Sequence, residues 1–192
     1  MRVPTWTEGR SWSCGSRRAL SWLVIIRKLL GSDYDSFHTM RIGMLELNAR
    51  DYTAGASDWR NASQEQIMSY LRENEEGSDN FVLGAFRDGE LVGMLGFRRE
   101  TRATVRHKGS TWGLFAKPGL ENVEVEKLLL AEAIKTVRSY ADFEYIRTVQ
   151  NVSNIEKIDL FLALGFKKYG LEERSMRVGQ QYFDQVYLKL VV

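Results

Sequence analysis

Two apolar runs separated by Asp88-Gly89 constrain this chain more than any other feature. Phe81-Val82-Leu83-Gly84-Ala85-Phe86 and Leu91-Val92-Gly93-Met94-Leu95-Gly96-Phe97 are dense in residues that favour strands. An Asp-Gly pair between such runs favours the tight turn whose twist matches two antiparallel strands. The chain is therefore committed to a β-hairpin. A polar stretch, Arg98 to Lys108, carries the return strand onward, and Thr111 to Ala116 reads as a further strand stopped by Pro118-Gly119.

Helical signals surround the hairpin. From Glu121 to Tyr140, the apolar residues Val125, Leu128, Leu129, Ala133, Ile134 and Val137 recur with helical period. Tyr145 to Val149 reads as a strand. Ser153 or Asn154 caps a short helix through Ile158, Phe161 and Leu162, which Gly165 ends, and Phe166–Leu171 and Gln181–Val192 close the chain as strands. Upstream, Leu23 to Leu29 reads as a strand, followed by a helix capped by Ser32 or Asp33. Asp51 to Trp59 reads as a loop. Ser63-Gln64-Glu65-Gln66 is a capping box that opens a second helix with Ile67, Tyr70 and Leu71. The order β-α-α-β-β-β-α-β-α-β-β predicts an α+β, or mixed α/β, domain around one sheet.

With 192 residues the chain fits one domain and a tail. Residues 1–22 carry Arg2, Arg10, Arg17 and Arg18 against Glu8, and are expected to form a loosely ordered N-terminal extension ahead of a domain over 23–192. A net charge of +2 is too balanced to argue for nucleic acid. The apolar stretch at Leu23–Ile26 falls far short of the roughly 20 residues that cross a bilayer. Cys14 is the single cysteine, which excludes an intrachain disulfide and fits a reducing cytoplasm. Two histidines and one cysteine, scattered, predict no metal site.

From Phe81 to its end the chain resembles GNAT N-acetyltransferases. Asp88-Gly89-Glu90-Leu91-Val92-Gly93 is similar to the family's central hairpin, and His107 to Phe115 to its fourth strand. Asn154-x-x-Lys157-x-x-Leu160-Phe161-x-x-x-Gly165-Phe166 resembles the segment usually written N-x-x-A-x-x-L-Y-x-x-x-G-F, and Gln181 to Leu188 resembles the closing strand. The resemblance implies a GNAT-like acyl-CoA N-acyltransferase fold: a mixed, mostly antiparallel sheet flanked by about four helices. It implies transfer of an acetyl group from acetyl-CoA to an amine by direct attack, without a covalent enzyme intermediate. The acceptor would be an amine-bearing small molecule or peptide, entering between the first two helices and the sheet. The resemblance leaves room for a homodimer, since many members pair.

By the same resemblance, backbone groups of Leu114, Phe115 and Ala116 would position the thioester arm and polarise its carbonyl. Glu121-Asn122-Val123-Glu124-Val125-Glu126 would be the pyrophosphate loop, and Asn154 would also lie against the cofactor. The family's loop usually reads R/Q-x-x-G-x-G/A, because glycines let the backbone approach a pyrophosphate and free amides at a helix start bind it. Here Glu124 and Glu126 replace both glycines, and Glu121 replaces the leading Arg or Gln. One like-charge contact at 4 Å costs about 1 kcal/mol in water and about 4 kcal/mol at an effective dielectric of 20. A micromolar ligand binds with only about 8 kcal/mol. Two or three such contacts would abolish useful binding, unless the glutamates turn to water beside Lys117 and Lys127. Acids in a first helical turn also interact favourably with the helix dipole.

A second departure is Phe161, at the position where the family often has a tyrosine that protonates the leaving thiolate. Phenylalanine has no proton to give, and Tyr169 or Tyr182 would have to substitute. Glu100 is the better-placed candidate for the general base, since Glu90 lies in the hairpin turn. Two expectations follow: an acetyl-CoA-dependent N-acetyltransferase, or a catalytically impaired descendant serving as an interaction or ligand-sensing module.

Overall fold

The computed structural model describes residues 23–75, 79–119 and 122–192. The extension expected over residues 1–22 lies outside them. Seven strands form one sheet: β1 (Ile25–Lys28), β2 (Phe81–Arg87), β3 (Glu90–Arg99), β4 (Lys108–Ala116), β5 (Tyr145–Asn151), β6 (Lys167–Val178) and β7 (Gln181–Val191). Their order is β1-β2-β3-β4-β5-β7-β6, antiparallel throughout except for the β4–β5 pair. Five helices complete the fold: α1 (Tyr34–Leu47), α2 (Ala56–Asn61), α3 (Gln64–Glu75), α4 (Asn122–Val137) and α5 (Ile155–Ala163). The mixed α/β architecture expected from the sequence is present.

Local signals account for most element ends. Asp88 and Gly89 adopt φ of 50° and 84°, the left-handed pair that a tight hairpin turn requires. Ser63 Oγ accepts from the Gln66 N–H at 3.2 Å while Gln66 Oε1 accepts from the Ser63 N–H at 2.8 Å, which completes the capping box. Asn154 Oδ1 caps α5 by accepting from the Lys157 N–H at 3.2 Å.

The middle of the sheet is buried on both faces. On β2, Phe81, Leu83 and Ala85 join the core formed with α4 and α5, which includes Leu129, Ala133 and Phe161. Val82 and Phe86 turn the other way, into the core formed with α1 and α3, which includes Phe37, Met44 and Ile67. This alternation is the period of two that a strand imposes on its side chains. Asn74 fastens α3 to the sheet: its Nδ2 donates to the carbonyls of Leu29 at 2.7 Å and Val82 at 3.2 Å, and its Oδ1 accepts from the Val82 N–H at 2.7 Å.

The segment expected to be a loop, Asp51–Trp59, instead runs into the short helix α2. Six residues carry no readable apolar period. Tertiary packing holds this helix: Trp59 lies edge-on to Phe37 with ring centroids 5.7 Å apart, and 5.5 Å from Tyr70.

One feature of the sheet creates a site. β4 and β5 pair only at Lys108–Tyr145, Gly109–Ile146 and Ser110–Arg147. Beyond these the strands part, although β4 continues to Ala116 beside β3 and β5 continues to Asn151 beside β7. A wedge therefore opens in mid-sheet. A bulge in β4 helps to turn the strand: the register with β3 shifts between Met94–Phe115 and Gly96–Trp112. Gly113 sits within it at φ 64°, a conformation that disfavours any residue with a Cβ.

Candidate functional site

A cleft of about 440 Å³ lies at the wedge, with Arg41, Tyr52, Trp112, Arg147, Tyr169 and Tyr187 among its walls. One of its walls is the edge of β4, Ser110 to Leu114. The Lys117 N–H bonds to Val92 of β3 at 2.8 Å, so by strand alternation Leu114 and Ala116 direct their backbone groups into the wedge. These are the groups that the resemblance assigns to the thioester arm.

The chain's own side chains hold them. Glu126 Oε1 accepts from the Ala116 N–H at 3.2 Å. The Leu114 carbonyl accepts from Lys157 Nζ at 3.1 Å and from the Tyr52 hydroxyl at 2.8 Å. Glu126 and Lys157 are themselves ion-paired, with side chains only 9% and 11% exposed. Burial raises the Glu126 carboxyl above its ordinary range, against the pull of Lys157 and the Ala116 N–H. Burial, with help from the Glu126 charge, also pushes the Tyr52 phenol up, so Tyr52 remains a donor.

The other loop residues are disposed differently. Asn122 opens α4, Val123 is exposed and Val125 is buried in the core. Glu124 turns to solvent, 3.8 Å from Lys127. Glu121 lies outside the described residues. Phe115 is buried on the α1 side of the sheet. Asn154, besides capping α5, donates through Nδ2 to Asp51 at 2.8 Å.

The acid and base candidates do not converge. Phe161 is fully buried, edge-on to Phe166 with centroids 5.0 Å apart. Tyr169 lines the cleft and packs against Tyr187. Tyr182 is at the start of β7, under the Arg174 guanidinium and not among the cleft residues. Glu100 pairs with Arg147, whose Nη2 also reaches Ser110 Oγ at 3.3 Å.

Lys157, Tyr52 and Arg41 are among the residues of the site that escaped the sequence reading. Lys157 had a signal, since it stands where the family segment has alanine, just as Glu126 stands where the loop has glycine. Arg41 had one too. It lies four residues after Phe37 and four before Leu45, in the buried stripe of α1. Tyr52, in an irregular connection, carried none.

The sequence pattern described as "Acetyltransferase (GNAT) domain" matches residues 42–187. No curated protein matches the chain by sequence. Among solved structures, the chain is similar to an acetyltransferase of the GNAT family from Streptococcus pneumoniae, at 20% identity and a TM-score of 0.78, covering 88% of this chain and 100% of that one. It is also similar to a ribosomal-protein-alanine N-acetyltransferase from Brucella melitensis, at 18% identity and 0.74 over 88% and 99% of the two chains. A third is a phosphinothricin acetyltransferase of the GNAT superfamily from Sinorhizobium meliloti, in complex with AcCoA, at 16% and 0.73 over 88% of each. These likenesses carry the fold; together with the matched pattern, which spans most of the sequence, they mean that the chain belongs to the GNAT acetyltransferase family.

Proposed function

We propose that this protein is a GNAT-fold binding module whose acetyl-CoA groove is closed by its own side chains, and that it acts through the open cleft rather than by acyl transfer. The observation that carries this reading is the Glu126 carboxylate on the Ala116 N–H, held there by Lys157. Acetyl-CoA does not fit the groove in the family's usual pose. The backbone donor is taken, and a buried ion pair occupies the space beside it. Breaking a buried ion pair costs about 3–5 kcal/mol. A ligand that would bind an open groove at micromolar concentration, with about 8 kcal/mol, is thereby reduced to millimolar binding.

The test is a thermal-shift titration with acetyl-CoA. The unaltered protein should show no saturable shift in the micromolar range, with a response only as cofactor reaches millimolar concentration. The variant Glu126→Gly/Lys157→Ala, which restores small residues at both positions, should gain a concentration-dependent stabilisation. Saturable micromolar binding by the unaltered protein would overturn the reading. It would favour the second one, acetyl-CoA-dependent N-acetylation of an amine, which draws support from the retained wedge and the adjoining cleft. That reading requires Glu126 and Lys157 to leave the groove when cofactor arrives.

A further inference from the structure

We propose that the cleft takes a small carboxylate ligand, and that the buried guanidinium of Arg41 is its anchor. The inference rests on the reading above only in treating the cleft as the ligand site.

Arg41 is 5% exposed, yet no carboxylate pairs with it among the described residues. Its Nε has no hydrogen-bond partner, and its Nη1 reaches only the weak acceptor Met44 Sδ, at 3.7 Å. Aromatic rings surround the group: Trp59 and Trp112 with centroids 4.9 and 5.0 Å from its central carbon, and Tyr52 at 6.0 Å. Ring faces attract a desolvated cation by about 2 kcal/mol. That does not match the several kcal/mol lost in burying an ion, nor does it supply acceptors for the N–H donors. Burial lowers the Arg41 pKa only to about 10, so the charge persists at neutral pH.

A further nitrogen among the cleft residues, Arg147 Nε, also lacks a partner. Buried polar atoms in folded proteins are nearly always satisfied. A buried guanidinium among the cleft residues, carrying a full positive charge without a carboxylate partner, describes a site that a hydrogen-bonding anion would complete. What Arg41 lacks is one negative charge within reach, which a monoanion supplies. Arg147 is already neutralised by Glu100, no lysine is among the cleft residues, and Asp51 is engaged by Asn154 Nδ2 at 2.8 Å and forms no ion pair with Arg41. A planar carboxylate matches the guanidinium fork, and the aromatic walls suit a flat ligand body.

The probes are benzoate, benzamide and inorganic phosphate, titrated at constant ionic strength against the full chain and followed by thermal shift. Benzoate should stabilise saturably, and benzamide, with the same ring and no charge, should not. Phosphate should bind more weakly than benzoate. Arg41→Met, apolar and of similar reach, should weaken benzoate about ten- to a hundred-fold. Without ligand the variant should melt at or above the temperature of the unaltered protein, because it removes an unpaired buried charge. A benzoate response equal to that of benzamide, or unchanged by Arg41→Met, would overturn the proposal, as would tighter binding of phosphate. So would a clear loss of unliganded stability in Arg41→Met, which would mark the guanidinium as a packing element of the aromatic cage. Benzoate and acetyl-CoA are titrated separately against the unaltered protein, so failure here and failure of the closed-groove reading are separately visible.

Discussion

Glu126 on α4 and Lys157 on α5 meet across the wedge, and each takes one backbone group of β4: Glu126 the N–H of Ala116, Lys157 the carbonyl of Leu114. Each ion makes the other's burial tolerable. Glu126→Ala and Lys157→Ala should therefore each destabilise the protein by about 3–5 kcal/mol, since each strands a charge. The double variant should cost clearly less than the sum, with a coupling of about 0.5–3 kcal/mol. Urea unfolding of the four proteins measures this. Additive losses would mean that the two side chains act independently.

The pair also leaves a pH signature. The folded state raises the Glu126 carboxyl above its ordinary value of 4.5, mainly through burial. The native protein thus binds this proton more readily than the unfolded chain does. Stability attributable to this group falls as pH rises from 4.5 through the raised folded value. Below 4.5 both states are protonated and the penalty vanishes. Melting curves between about pH 4 and 7 should show the unaltered protein losing stability relative to Glu126→Gly/Lys157→Ala as pH increases. A relative gain would contradict the assignment.

Gly113 supports Arg41 from below. At φ 64°, an added Cβ would lie 2.7 Å from Arg41 Nη1. Gly113→Ala should cost about 1–2 kcal/mol for the backbone alone and weaken benzoate binding by displacing the guanidinium. Calorimetric melting and a benzoate titration of the same variant report the two effects. Unchanged stability and unchanged affinity would show that the bulge tolerates a side chain.

Phe161→Tyr restores the hydroxyl usual in the family at a place where it has no use. The ring is fully buried against Phe166. A hydroxyl there should cost about 1–3 kcal/mol for want of a partner, and should produce no thiol release from acetyl-CoA with any amine offered. Detectable acetyl transfer by this variant would argue for an accessible groove.

Much of this architecture was legible because its signals are local. The Asp88-Gly89 turn, the Ser63–Gln66 box, the Asn154 cap and the period of α4 each speak through neighbours a few residues apart. The short helix α2 was not legible, since residues distant in sequence, Phe37 and Tyr70 among them, hold Trp59 in place. The first turn of α4 was half legible. Glu124 turns to water as an acid at a helix start does, but Glu126 shares the buried face of Leu129, Leu130 and Ala133 and points inward. Its partner lies 31 residues away, and no local rule connects them. Each departs from the family pattern at its own position, and only the fold reveals that one departure answers the other.

The short seam between β4 and β5 gives this contact a mechanical side. Among the described residues, the ladder that joins strands β1–β4 to strands β5–β7 is three residue pairs long. Glu126 belongs to the helix that follows β4, and Lys157 to the helix that follows β5. Their bond is a strut across a hinge line, and it fixes how far the two halves of the sheet diverge before anything is bound. The mouth of the cleft is thus set in advance, and a ligand meets a frame already braced instead of one it must pull into shape.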